Sequence, residues 1–200
     1  MPRLRSSKQI AAIIVLAATC VATDYALVSL PNVKLMDGIV FVSGYMLGAP
    51  AGVVVGALAW AVYGQINPYG FSLPVLLLTM SGESIYSLGG ALLRRLIPAE
   101  RGNGDVKPRL SNGVILGSLG MLLTLAYDVY TNAAVGVLSY GSPLMGLLTM
   151  NFPVPMGLIH EVSNLAFFAT VVPLIMKALR RTMGCIDQTW VISGRTEGVA

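Results

Sequence analysis

Residues Ile10–Leu30 read IAAIIVLAATCVATDYALVSL, 21 consecutive positions whose only formally charged side chain is Asp24. At about 1.5 Å of rise per residue, roughly 20 such residues cross a hydrocarbon core of about 30 Å, so the stretch is long enough for one membrane helix. Arg3, Arg5 and Lys8 precede it in the manner of a secretory signal, but a signal's apolar region is about 7–15 residues. The span is therefore expected to be retained.

The rest of the chain agrees with that reading. Of 200 residues, 55% are hydrophobic and 11% charged, and the mean hydropathy is +0.74. A water-soluble domain carries about 25% charged residues. In lipid every backbone polar group needs an internal partner, which leaves helices or a closed barrel. The apolar runs are continuous rather than alternating, so an all-α integral membrane protein is predicted. Cys20 and Cys185 are too few for a disulfide framework.

Three further segments reach spanning length: Leu73–Leu93, Gly113–Leu138 and Val154–Leu179. Between the first two spans lies Met36–Gln65, broken at Gly48-Ala49-Pro50, where glycine can end one helix and proline can open the next. This predicts a short second/third helix hairpin, either spanning by tilt and local thinning or re-entrant. Six crossings are expected and four are the alternative; both put the two termini on one side. Twelve of the thirteen basic residues fall there as well, in the amino-terminal segment, the Arg94–Arg109 loop and the stretch from Lys177 to Arg195. Only Lys34 falls opposite. Basic residues favour the cytoplasmic side, so both termini are predicted to be cytoplasmic, with a transmembrane domain at 1–182 and a tail at 183–200. The net charge of +4 then reflects topology, and no groove of basic and aromatic residues suggests nucleic acid.

Ionisable groups inside spans are costly and point to function. Asp24, Glu83, Asp128, His160 and Glu161, with Asn164, are predicted to converge at one depth in the outer half of the bundle. Trp60 and Tyr63, with Gln65 and Asn67, add aromatic and amide groups at that level, while Tyr69 and Tyr140 suit an interfacial belt. Asp24, Trp60, Tyr63, Glu83, Asp128, His160, Glu161 and Asn164 are accordingly the candidate substrate-binding residues. Carboxylates with aromatic faces favour a cationic or amine-bearing heterocycle. Small residues at helical spacing, Ala18, Ala22 and Ala26 in the first span and Gly44, Gly48, Gly52 and Gly56 in the hairpin, permit close helix approach, within the chain or with a partner. Pro173 is expected to kink the last span near Ala169.

Catalytic and nucleotide motifs are absent. His160-Glu161-Val162-Ser163-Asn164 starts like a zinc-protease helix but has Asn where the second ligand belongs, and the chain has no other histidine. No phosphate-cradling G-x-x-x-x-G-K-[ST] and no G-x-S-x-G elbow occurs. Neither a cofactor nor a metal is expected, and no catalytic residue is assigned.

The six-helix plan, the hairpin DGIVFVSGYMLGAPAGVVVGALAWAVYGQ at 37–65, the basic loop before the fifth span and the terminal HEVSNLAFFATVVPLIMKALRR at 160–181 resemble the substrate-binding S components of energy-coupling factor (ECF) vitamin transporters. The resemblance covers roughly Lys8 to Arg181. It implies a non-enzymatic, multi-pass protein of the cell membrane that captures a micronutrient from outside and passes it inward with a transmembrane coupling subunit and two cytoplasmic ATPases. The family's alanine face for the coupling subunit maps onto Ala18 and Ala22, extended by Ala26. Cobalt and nickel members begin with a Met-His clasp, whereas this chain begins Met1-Pro2-Arg3, which disfavours transition-metal uptake. Thiamine members share a carboxylate on the fourth helix and an asparagine on the sixth, yet are richer in tryptophan. Two other classes stay open: a noncatalytic subunit of a larger membrane complex, and an intramembrane enzyme pairing His160 with Glu161 or Asp128.

Overall fold

The computed structural model describes residues 7–68, 70–97 and 113–183, and all of its regular secondary structure is helical. Eight helices follow one another: α1 (Ser7–Ala26), α2 (Met36–Leu47), α3 (Ala49–Ile66), α4 (Leu73–Gly82), α5 (Ser84–Leu96), α6 (Gly113–Tyr140), α7 (Pro143–Thr149) and α8 (Met156–Met183). α4 and α5 are one span interrupted at Glu83, so five segments are long and apolar enough to cross a membrane, with the 12-residue α2 besides. The Arg101–Arg109 bases, Tyr69, Cys185 and the predicted tail beyond Met183 lie outside the described residues.

α2 is the axle of the bundle. All twelve of its residues are buried, among α1, α3, α5 and α8. At about 1.5 Å per residue α2 is only about 18 Å long, well short of the hydrocarbon thickness. Its apolar composition therefore serves protein rather than lipid. The hairpin turns at Gly48, whose φ of 94° suits glycine, and Pro50 sits in the first turn of α3. Gly44 lets α2 approach α5 so closely that a Cβ there would collide with the Ser87 carbonyl oxygen and lie 2.8 Å from the Ser87 Cα. The Ser87 hydroxyl in turn donates to the Ala49 carbonyl at 2.8 Å. The glycine stripe predicted for packing is thus used within the chain.

Hydrogen bonds define the two ends of the bundle. At one, Arg94 donates to the Tyr45 and Met46 carbonyls at 3.1 and 2.8 Å, and Arg180 donates to the Tyr45 hydroxyl at 3.1 Å. At the other, the Tyr25 hydroxyl reaches the Ile66 carbonyl at 3.0 Å and the Asn32 amide the Met156 carbonyl at 2.9 Å. Among the described residues, Lys8, Arg94, Arg95, Lys177, Arg180 and Arg181 belong to the first end and Lys34 alone to the second.

Two differences from the sequence reading bear on the site. α1 stops at Ala26, and residues 27–34 form a succession of tight turns, with Leu30 N–H donating to Leu27 and Val33 N–H to Leu30. α7 was not predicted; its Gly146 packs backbone to backbone on Gly136 of α6. Pro173 lies inside α8, and the Ala169 carbonyl, which proline leaves without its usual donor, faces Gly113 at the start of α6.

Candidate functional site

Two features occupy the half of the bundle towards the Lys34 end. The first is a buried polar network. His160 Nε2 lies 2.7 Å from Asp37 Oδ2 and its Nδ1 3.0 Å from Asp128 Oδ1, which ties α8 to both α2 and α6. Asn164, one turn on, donates to the same Asp37 oxygen at 2.6 Å and to Thr124 Oγ at 2.8 Å. Thr124 also accepts from the Tyr86 hydroxyl at 3.1 Å and donates to the Gly120 carbonyl at 2.8 Å. A neutral imidazole offers one N–H, yet both ring nitrogens face carboxylate oxygens. One further proton must therefore be held by the ring or by a carboxyl group. His160 is 1% exposed, so this network binds helices together inside the bundle.

The second feature is a cavity of about 520 Å³ that opens at the Lys34 end. Its walls come from the 27–34 turns, the last turns of α3, the start of α4, Met150 and Met156. Leu30, Val33, Phe71, Val75 and Leu76 make it mainly apolar; Lys34 is its only charged lining residue among those described. The Lys34 ammonium lies 4.6 Å from the centroid of the Trp60 ring. That ring is held in place by its Nε1, which donates to Glu83 Oε2 at 2.9 Å, and by an edge contact with Tyr63 at 5.8 Å.

The predicted site residues divide between these features. Trp60 and Tyr63 line the cavity. Asp128, His160 and Asn164 meet in the network. Glu83 backs the cavity wall behind Trp60 and does not reach the cavity itself. Asp24 caps α2: its Oδ1 accepts from the Leu35 and Met36 backbone N–H groups, both at 3.2 Å, where α2's own N-cap residue, Leu35, has no side chain to do so. Glu161 stays outside the network, partly exposed on α8. The expectation of carboxylates lining a ligand hollow is therefore corrected: Asp24, Glu83 and Asp128 are enclosed, Glu161 lies away from the hollow, and the hollow shows a base.

Sequence reasoning placed neither Asp37 nor Lys34 among the candidate site residues, although it set Lys34 apart from the other bases. Asp37 is the only charged side chain of the 36–65 hairpin, and Lys34 the only basic residue on its side of the predicted topology. Both isolated charges were legible as anomalies. Among the described residues, no group of three or more His, Cys, Asp or Glu is arranged to hold a metal ion. Ala18, Ala22 and Ala26 share an exposed face of α1, while Leu16, Ala17, Cys20 and Asp24 face the bundle. Comparison with protein families, curated proteins and solved structures finds no match to this chain.

Proposed function

We propose that this protein is the membrane-embedded substrate-binding subunit of an ECF-type importer, which captures a small micronutrient in the cavity at the Lys34 end and hands it inward. The observation that carries the reading is the cavity itself, about 520 Å³, within the range of roughly 300–1,000 Å³ that small-molecule sites occupy. Its position supports capture from outside: the described basic residues other than Lys34 belong to the opposite end, which the positive-inside rule assigns to the cytoplasm of a cell membrane. Six crossings, with α2 as the short one, bring both termini to that cytoplasmic side. The exposed Ala18, Ala22 and Ala26 leave α1 a small-residue face towards the bilayer, suited to a coupling subunit that works with two ATPases. The acid–base alternative draws less support, because His160 is enclosed between two carboxylates and does not line the cavity.

Gentle purification from the native membrane, with mass spectrometry of retained small molecules and companion subunits, tests the reading. The expected result is a bound compound whose release changes Trp60 fluorescence, read in a Trp190→Phe background, together with co-purifying ATPases. A protein that carries no ligand and alters no Trp60 signal with any micronutrient would refute it. Loss of the companions in Ala18→Leu or Ala22→Leu, with ligand retained, would support the coupling face.

A further inference from the structure

We propose that the cavity selects an organic anion: one carboxylate-type group pairs with the Lys34 ammonium, and a flat, mainly apolar body rests against Trp60, Tyr63, Phe71 and Leu76. This rests on the receptor reading above and names its substrate class.

Lys34 is the only charge on the cavity wall, and no carboxylate lies within ion-pair distance of its ammonium among the described residues. Its contact on the protein side is the Trp60 ring, a surface that stabilises a cation without neutralising it. Three acids, Asp24, Asp37 and Glu83, lie buried behind the wall, each with one carboxylate oxygen engaged and the other without a hydrogen-bond partner among the described residues. Asp24 accepts two backbone N–H groups and Glu83 accepts the indole N–H, so they offset the charge of Lys34 from behind the wall without offering it a partner. A ligand anion completes the ion pair from the open side through a charge-assisted hydrogen bond, stronger than one between neutral groups. A ligand cation would meet a like charge and no reachable carboxylate, so the cation-selective site suggested by counting acids is replaced by its opposite.

The walls select the rest of the molecule. Leu30, Val33, Phe71, Val75, Leu76 and Met156 offer no charge to a second ionised group, which favours a monoanion over a zwitterion or polyanion. A soluble micronutrient acid and a membrane fatty acid both present this chemistry.

The test uses the full chain in lipid nanodiscs with three probes of one shape: 2-naphthoate, neutral 2-naphthamide and cationic 2-naphthylmethylammonium. Naphthoate is expected to bind most tightly, by about tenfold or more over the amide. Lys34→Gln should remove that preference and Lys34→Arg keep it, both melting like the parent. An amide or ammonium probe that binds as tightly as naphthoate, or a preference that survives in Lys34→Gln, would overturn the proposal. Binding without charge preference that is lost in the cavity-filling Val75→Trp variant would sink the anion and spare the receptor. No saturable binding by any probe would count against both. Naphthoate displaced by oleate at lower concentration than by benzoate supports an anion drawn from the membrane; the reverse order supports one drawn from water.

Discussion

Two adjacent glycines on α5 offer a controlled test of the packing that holds α2. A Cβ added at Gly90 would collide with the Phe41 carbonyl oxygen and lie 2.9 Å from the Tyr45 nitrogen, both fixed backbone atoms of α2. An ordinary carbon–oxygen approach is about 3.3–3.6 Å, so relieving the Gly90→Ala clash takes a shift of the two helices of more than about an ångström. A Cβ at Gly89 would meet only the Leu123 methyl groups, at 2.8 and 2.9 Å, which can swing aside. Both changes gain about 0.8–1.0 kcal/mol of helix propensity. Overpacking costs about 1–3 kcal/mol, and backbone against backbone belongs at the upper end. Gly90→Ala is thus expected to lose about 2 kcal/mol, a fall in Tm of roughly 4–8 °C for a chain of this size, while Gly89→Ala stays near the parent. Thermal unfolding of both variants in one detergent, followed by circular dichroism, measures the difference. Equal melting temperatures would refute the close α2–α5 contact and the placement of Asp37 that depends on it.

His160→Ala strands Asp37 and Asp128 without their shared partner, and should cost about 3–5 kcal/mol in denaturant titration in mixed micelles. Adding Asp37→Asn should recover part of that loss; a double variant less stable than the single one would contradict the network. Asp24→Ala deprives the Leu35 and Met36 N–H groups of their acceptor, and about 0.5–2 kcal/mol is expected, whereas Asp24→Asn keeps an acceptor oxygen and loses less. Equal effects of the two changes, measured as chemical denaturation midpoints, would show that Asp24 acts by charge rather than by capping. Trp60→Phe removes the only protein hydrogen bond to Glu83's side chain among the described residues; an expected loss of about 1–3 kcal/mol is read from the same titration, and an unchanged midpoint would dismiss the bond.

Much of the bundle was legible because lipid imposes a simple rule on length and composition. The break at Gly48-Ala49-Pro50 was visible in the residue types, and α6 begins at the predicted Gly113. Leu27, Val28 and Leu30 misled, because a cavity wall and a membrane face call for the same side chains, and hydropathy does not say which one they meet. α7 escaped notice as a single short helix of seven residues. Acidic residues were rightly taken as costly inside the bundle, but cost alone does not distinguish a ligand's partner from a structural bond. Asp24 satisfies backbone N–H groups and Asp128 a histidine, both through contacts invisible in a linear pattern. Lys34 carried the more informative anomaly, since among the described basic residues it alone belongs to its end of the bundle.

The enclosure of α2 also sets an order of events during synthesis. Asp37 leaves the ribosome long before the histidine that receives it, since 123 positions separate the two. Until α8 is made, that carboxyl group sits on a twelve-residue helix and has neither imidazole nor Asn164 to meet it. A nascent chain stopped before α8 therefore holds an uncovered acid at its centre, and quality control has a defect to recognise until the final helix closes over it.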